Sequence, residues 1–159
     1  MTKKVMVLMG GFSAEREVSL QSGAGIAEAL RRKGYEVTTH DLSDTRQLLA
    51  ELGRSKPDVV FNALHGNWGE DGTVPALLDL LQIPYTHSGM QASCVGMNKY
   101  LCRLIAEKAG LKTAYGRKLS AREFITQGSP VARPFVVKPV SDGSSVGVFI
   151  VNNPEDVFK

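Results

Sequence analysis

No apolar run in this sequence approaches the ~18 residues of a membrane-spanning helix, so no membrane partner is expected. Cysteine is scarce: only Cys94 and Cys102 occur. Their spacing gives neither a CxxC redox pair nor a zinc set, and no charged-then-apolar leader precedes the first strand-like run. A reducing cytoplasm is therefore the expected compartment. Cys94, followed by Val95 and without a basic neighbour, reads as a small buried hydrophobe rather than a nucleophile. Strong charge of either sign is also missing, since 19 basic and 16 acidic residues leave a formal +3. The basic residues are scattered (Arg31, Arg32 and Lys33; Arg54 and Lys56; Arg117 and Lys118) and not threaded with aromatics, so no nucleic-acid partner is expected. Two nucleotide signatures are absent as well, the dinucleotide GxGxxG and the P-loop GxxxxGK[ST], which leaves a conventional nucleotide site unsupported near the first strand.

What is present is three strand-like runs, each opening into a Gly-rich polar loop. Val5 to Met9 is continuously apolar and closes on Gly10 and Gly11, the pattern of a strand buried on both faces of a parallel sheet. From Val18 to Lys33, Ser22, Ile26, Ala29, Leu30 and Lys33 fall at helical spacing, with Gly34 as the stop. Tyr35 to His40 reads as a second strand, Thr45 to Gly53 as a second helix and Val59 to Leu64 as a third strand that delivers His65. This alternation predicts an α/β layer structure with a parallel sheet, whose ligands lie beyond the carboxyl ends of the strands.

Thr73 is expected to cap the next helix, with Pro75 in its first turn. Ile83 to Thr86 reads as a short strand, and a first domain closes near residue 97. Asn98 to Ala109 is then a linking helix, Lys112 to Leu119 a strand, and Ser120 with Glu123 a capping box. Phe135 to Lys138 and Val146 to Val151 read as an antiparallel pair, because no crossover helix fits between them. Asn153 to Glu155 opens another helix. At 159 residues the chain has room for one α/β domain and the start of a second.

Chemistry-bearing residues gather in the loops. Glu15, at the mouth of the sheet, suits a substrate ammonium group or a helix start favoured by the dipole. His65, Glu70 and Asp71 share a crossover with three glycines, Gly66, Gly69 and Gly72, more than a connection requires. They suggest a substrate loop or a structural one. The two acids are adjacent and need not converge with His65, so no metal ligand is assigned. Lys99 and Lys138 are candidates for phosphate contacts; a lysine closing the run Phe-Val-Val-Lys-Pro is costly to bury unless it meets an anion. Ser141 to Ser145 forms a donor-rich flap that suits a phosphate chain or an ordinary hairpin loop. Trp68 and Tyr115 read as covers for apolar surface.

Three segments together resemble the D-alanine–D-alanine ligase family of the ATP-grasp superfamily. They are Gly10-Gly11-x-Ser13-Ala14-Glu15-Arg16-Glu17-Val18-Ser19, His65-Gly66-x-x-Gly69-Glu70-Asp71-Gly72, and Lys138-Pro139-x-x-x-Gly143-Ser144-Ser145-x-Gly147. The resemblance implies a Rossmann-like parallel-sheet domain over residues 1–97 and the incomplete beginning of an α+β ATP-grasp domain over 98–159. It implies ATP-dependent joining of two D-alanines through an acylphosphate, for peptidoglycan precursors. Glu15 resembles the carboxylate that holds the first substrate's ammonium group, and His65 the histidine beside its carboxyl group. Ser88, in Thr86-His87-Ser88-Gly89, matches a loop near the substrate end, with His87 where glycine is common. Ser144 resembles the loop serine that positions substrate, and Lys99 and Lys138 resemble the two lysines that contact ATP phosphates, which implies an ATP-binding set of Lys99, Lys138, Ser144 and Ser145. Mg²⁺, or Mn²⁺ in its place, is implied, with its ligands beyond residue 159 together with the adenine hinge, an oxyanion arginine and a mobile-loop tyrosine. The chain alone is thus expected to be inactive, and the family implies a homodimer. D-alanine–D-lactate and D-alanine–D-serine ligases share these motifs, and a noncatalytic binding fragment is the reading from a different class.

Overall fold

The computed structural model describes residues 2–158, in two compact units that divide between Cys94 and Val95.

In the first unit, β1 (Lys4–Gly10), β2 (Glu36–Leu42) and β3 (Val59–Asn62) form a parallel sheet in the order β2-β1-β3. Val7 lies opposite Thr39 on one side and Phe61 on the other. α1 (Arg16–Arg32) and α2 (Thr45–Ser55) are the crossovers, and α3 (Thr73–Leu80) follows β3. The continuous apolar run of β1 is explained by burial on both faces. Met6 and Leu8 join Leu42, Leu48, Leu52, Val60, Leu64, Val74 and Leu78 on the α2 and α3 side, whereas Val7 packs with Ala27 and Ala63 on the α1 side. Each such large side chain contributes about 1.5–3 kcal/mol on full burial.

α1 meets the sheet through Ser19, Gly23 and Ala27, with Ile26 and Leu30 beside them. The expected face included Ala29 and Lys33, but both are exposed. The close approach of the helix explains the shift, because a Cβ at Gly23 would lie 2.6 Å from Met9 Cβ.

β3 ends at Asn62, two residues earlier than expected. There the buried Asn62 side chain replaces the ladder, donating from Nδ2 to the Gly69 carbonyl at 2.8 Å and accepting from Leu64 N–H at 3.2 Å. The short strand expected over Ile83 to Thr86 is a single parallel bridge between Tyr85 and Val60. Three bonds tie it to β3: Val60 N–H donates to Pro84 O at 2.8 Å, Thr86 N–H to Val60 O at 3.1 Å and Asn62 N–H to Thr86 Oγ1 at 3.1 Å. Thr73 is the first helical residue of α3 rather than its cap. Gly72, at φ +91°, takes the cap position, where a Cβ would lie 2.6 Å from Met90 O.

α4 (Met90–Met97) carries the chain across the division between the units and buries no residue. Cys94 is therefore exposed, as is Cys102, which corrects the expectation of a buried thiol. In the second unit Asn98 caps α5 (Lys99–Lys108), accepting from Leu101 N–H at 3.0 Å, and Ser120 and Glu123 complete the capping box of α6 (Ala121–Gln127). β4 (Phe135–Val137) and β5 (Phe149–Val151) pair antiparallel, and a short 3₁₀ turn follows over Pro154–Phe158.

Two secondary-structure expectations fail in this unit. Lys112 to Leu119 forms no strand. Among the described residues no strand pairs with it: the sheet of this unit holds β4 and β5 alone, and the Gly116 carbonyl is taken by the Arg103 guanidinium. The connection between β4 and β5 is also longer than expected, because Val146 to Val148 belong to it. It is a run of turns closed by Val146 N–H to Gly143 O at 3.1 Å and Val148 N–H to Ser145 O at 3.2 Å. Tyr115 is 74% exposed and covers nothing, whereas Trp68 does pack against the core.

Candidate functional site

All three strands of the first sheet end on the same side, and the loops after β1 and β3 meet there. Serines join them. Ser19 is fully buried on α1; its Oγ accepts from Gly10 N–H at 2.9 Å and donates to Ala63 O at 2.7 Å, so one hydroxyl ties the ends of β1 and β3 to the helix. Ser13 Oγ donates to the His65 carbonyl at 2.8 Å and accepts from Glu15 N–H at 3.1 Å. Phe12 and Trp68 add an edge-to-face contact, with ring centroids 5.3 Å apart.

This stitching sets Glu15 beside the loop that carries His65. Glu15 stands at the N-cap of α1 without making a side-chain cap. Its carboxylate lies along Gly66, where a Cβ would come within 3.3 Å of Oε2. Among the described residues that carboxylate has no hydrogen bond or ion pair, although a guanidinium is the very next residue. Arg16 is committed elsewhere, to a two-pronged contact with Asp41 at 2.7 and 2.6 Å and to Gly11 O at 3.3 Å. The hydrogen bonds from Arg16 hold the Asp41 carboxyl below its ordinary pKa against partial burial, and the arginine is raised in return. Arg16 and Asp41 thus neutralise each other and leave the Glu15 charge available at the mouth of the sheet.

The two acids of the crossover serve the loop itself. Glu70 accepts from Gly66 N–H at 2.7 Å, and Asp71 accepts from Trp68 N–H and Thr73 N–H, both at 2.9 Å. Partial burial pushes the Asp71 carboxyl up, but the donors at Trp68 and Thr73 together outweigh it and hold the pKa below the usual value. A depressed folded-state pKa means stabilisation that is complete above the unfolded value and lost as pH falls through the folded one. Asp71→Asn is accordingly expected to flatten the acid side of the stability profile and to lower neutral-pH stability by about 1 kcal/mol. Urea titrations across an acid series check this; parallel profiles for the two proteins would contradict it.

Among the described residues no three His, Cys, Asp or Glu side chains converge to hold a metal ion. Ser88 lies on the exposed turn after the Tyr85 bridge, and its carbonyl accepts from Ser93 Oγ at 3.1 Å.

The second unit carries the remaining residues. Lys99 opens α5; its N–H donates to Val140 O at 2.9 Å and its ammonium group donates to Asp142 O. The loop it holds contains Ser144 at φ +46° and Ser145 at φ +61°, two consecutive non-glycine residues in the left-handed region. Each such residue costs about 1–2 kcal/mol. Lys138 follows β4 and is exposed, so the burial argument made for it from the sequence does not apply; among the described residues its ammonium group has no partner. Sequence reasoning missed Ser19, Asn62 and Ser13 as organisers of the site. The available signal was polarity at apolar positions, with Asn62 inside Val-Val-Phe-Asn-Ala-Leu and Ser19 three residues before Ser22 on the inner face of α1.

The chain matches the family model described as D-ala D-ala ligase N-terminus over residues 4–56 and 43–88. It is 54% identical to the D-alanine–D-alanine ligase of Parvibaculum lavamentivorans over 149 residues, covering 94% of this chain and 47% of that protein. It is 51% identical to that of Paramagnetospirillum magneticum, covering 96% and 50%. Among solved structures, D-alanine–D-alanine ligase from Bacillus anthracis superposes with a TM-score of 0.79 at 34% identity, covering 99% of this chain and 52% of that one. The same enzyme complexed with ATP gives 0.77 at 31% identity. The chain spans about half the length of the relatives it matches. Its parallel α/β unit followed by an antiparallel β pair is the fold of the corresponding part of those structures, and the chain belongs to the D-ala D-ala ligase N-terminus family.

Proposed function

We propose that the protein to which this chain belongs joins two D-alanines at the expense of ATP, as the names of its relatives state for them. The observation that carries the reading is an uncommitted, half-buried carboxylate, Glu15, set beside Gly66 and the serine-held His65 at the carboxyl end of a parallel sheet. A zwitterionic amino acid needs one anionic and one cationic or donor group a few ångströms apart. Glu15 meets the ammonium end and His65 the carboxyl end, and Ser88 is assigned to the substrate loop in this reading. Residues 1–97 form the substrate-binding domain in this reading, and 98–159 begin the nucleotide domain.

Lys99, Lys138, Ser144 and Ser145 suit an anion by chemistry: two ammonium groups, two hydroxyls and a turn-rich loop whose backbone amides are spread in left-handed conformations. They would hold the phosphates of ATP, which supplies the phosphoryl group that activates one D-alanine carboxylate. The lysines would offset charge on those phosphates. Mg²⁺ does not fit the residues in hand, because Glu70 and Asp71 are bound to backbone amides, and no step is assigned to it. Among the described residues no helix is long and apolar enough to cross a membrane. A cytoplasmic homodimer is the setting that goes with this reading.

The test is phosphate release from ATP by the full-length protein, with and without D-alanine. Release that requires D-alanine establishes the ligase class, and preference for D-lactate or D-serine as the second substrate would redirect it within that class. No dependence in a folded sample sinks the reading. Within it, Lys138→Met is expected to raise the KM for ATP about tenfold with little change in folding, since the ammonium group is exposed. An unaltered ATP dependence would remove Lys138 from the phosphate set.

A further inference from the structure

Ser22 lies one turn along α1 from Ser19. Its Oγ is 3.2 Å from the Ser19 carbonyl oxygen and 3.5 Å from His65 Nε2. A hydroxyl has one proton and two lone pairs, whereas a carbonyl can only accept. The carbonyl is also the nearer partner, so the hydroxyl proton goes to it. A lone pair of Ser22 then faces the ring, and the contact at Nε2 is satisfied only when that nitrogen carries hydrogen.

The backbone that carries the ring is held in place. The His65 carbonyl is held by Ser13 Oγ at 2.8 Å, and two residues earlier the Ala63 carbonyl is held by Ser19 Oγ at 2.7 Å. The same helix turn that fixes the backbone before His65 therefore also presents the acceptor to its side chain. Among the described residues Nδ1 has no partner.

We infer that Ser22 is a positioning residue: it fixes His65 in the Nε2–H form and leaves Nδ1 as the ring nitrogen open to a ligand. A neutral His65 then offers a lone pair at Nδ1, and only the imidazolium can donate there to a carboxylate. That consequence for an amino-acid ligand rests on the function proposed above; the tautomer rests on the serine geometry alone.

The experiment is long-range proton–nitrogen correlation on the full-length protein labelled with nitrogen-15 histidine, at a pH where the imidazoles are neutral. His65→Gln assigns the resonance, and His40 and His87 serve as internal references. The expected wild-type result is a pyrrole-type Nε2 and a pyridine-type Nδ1 in a single tautomer. Ser22→Ala should let the Nδ1–H form appear, and Ser22→Thr, which keeps the hydroxyl, should restore the wild-type pattern. A protonated Nδ1 in the wild-type chain overturns the inference without recourse to any variant. An unchanged His65 tautomer in folded Ser22→Ala overturns it too. D-alanine and ATP are absent from the measurement, so its failure leaves the ligase reading intact, and a failure of D-alanine-dependent phosphate release leaves the tautomer intact.

Discussion

Glu15→Gln in the full-length protein is expected to lower kcat/KM for D-alanine about 100-fold, or about 2.7 kcal/mol of lost stabilisation. Glutamine preserves the shape and one acceptor oxygen but removes the charge, so the loss is that of a charge-assisted bond to a partly desolvated ammonium group. Arg16 cannot compensate in either direction, because Asp41 and the Gly11 carbonyl already occupy its guanidinium. Folding should be nearly unaffected. The Glu15 side chain makes no hydrogen bond among the described residues, and the Glu15 N–H bond to Ser13 Oγ survives the change. Steady-state kinetics beside a thermal melt checks both halves. Unchanged D-alanine kinetics would remove Glu15 from the substrate site, and a large fall in melting temperature would reassign it to a structural role.

Ser19→Ala is the substitution expected to damage the fold most for the fewest atoms removed. It deletes one oxygen and strands two fully enclosed backbone groups, the Gly10 N–H and the Ala63 carbonyl. Each unsatisfied buried group costs about 1–3 kcal/mol, so about 3 kcal/mol in all is expected, a large share of the stability of a small domain. The turn at Gly10 has no slack to absorb the loss, because a Cβ there would lie 2.6 Å from an Arg16 nitrogen and overlap Asp41. A urea melt should show a lower midpoint with an unchanged slope. A loss below about 0.5 kcal/mol would mean that both backbone groups find other partners.

The layered fold was legible because its signal is redundant. Val5 to Met9, closed by Gly10 and Gly11, suggested a doubly buried strand, and Gly34 and Pro57 punctuate the crossovers where the structure ends them. The capping box at Ser120 and Glu123 was equally local, and the structure forms both of its bonds. What failed depended on distant partners. Nothing within Lys112 to Leu119 records that no strand lies alongside it, and nothing near Lys138 records that its side chain is exposed. Cys94 misled for the same reason, since its apolar neighbours say nothing of a helix that buries no residue. At the site, Glu15 and His65 stood out by residue type and position after a strand. Ser19 and Asn62, which hold the ends of the strands in place, did not, because a buried serine or asparagine is distinguished only by the backbone groups it reaches.

The strand order β2-β1-β3 bears on how the polypeptide emerges from the ribosome. Of the three strands the one synthesised first is the middle one, so β1 has no neighbour in this sheet until Leu42 has been made and lacks its second until Asn62. At about 5–20 residues per second, the interval from Gly10 to Leu42 alone is about 2–6 s. Once outside the exit tunnel, one of the most apolar stretches of the chain, Val-Met-Val-Leu-Met, waits a similar time with both edges open before β2 emerges. Nascent chains arrested with β1 outside the exit tunnel and β2 still inside it should therefore be the ones that capture a holdase chaperone, and those arrested after β3 clears the tunnel should release it.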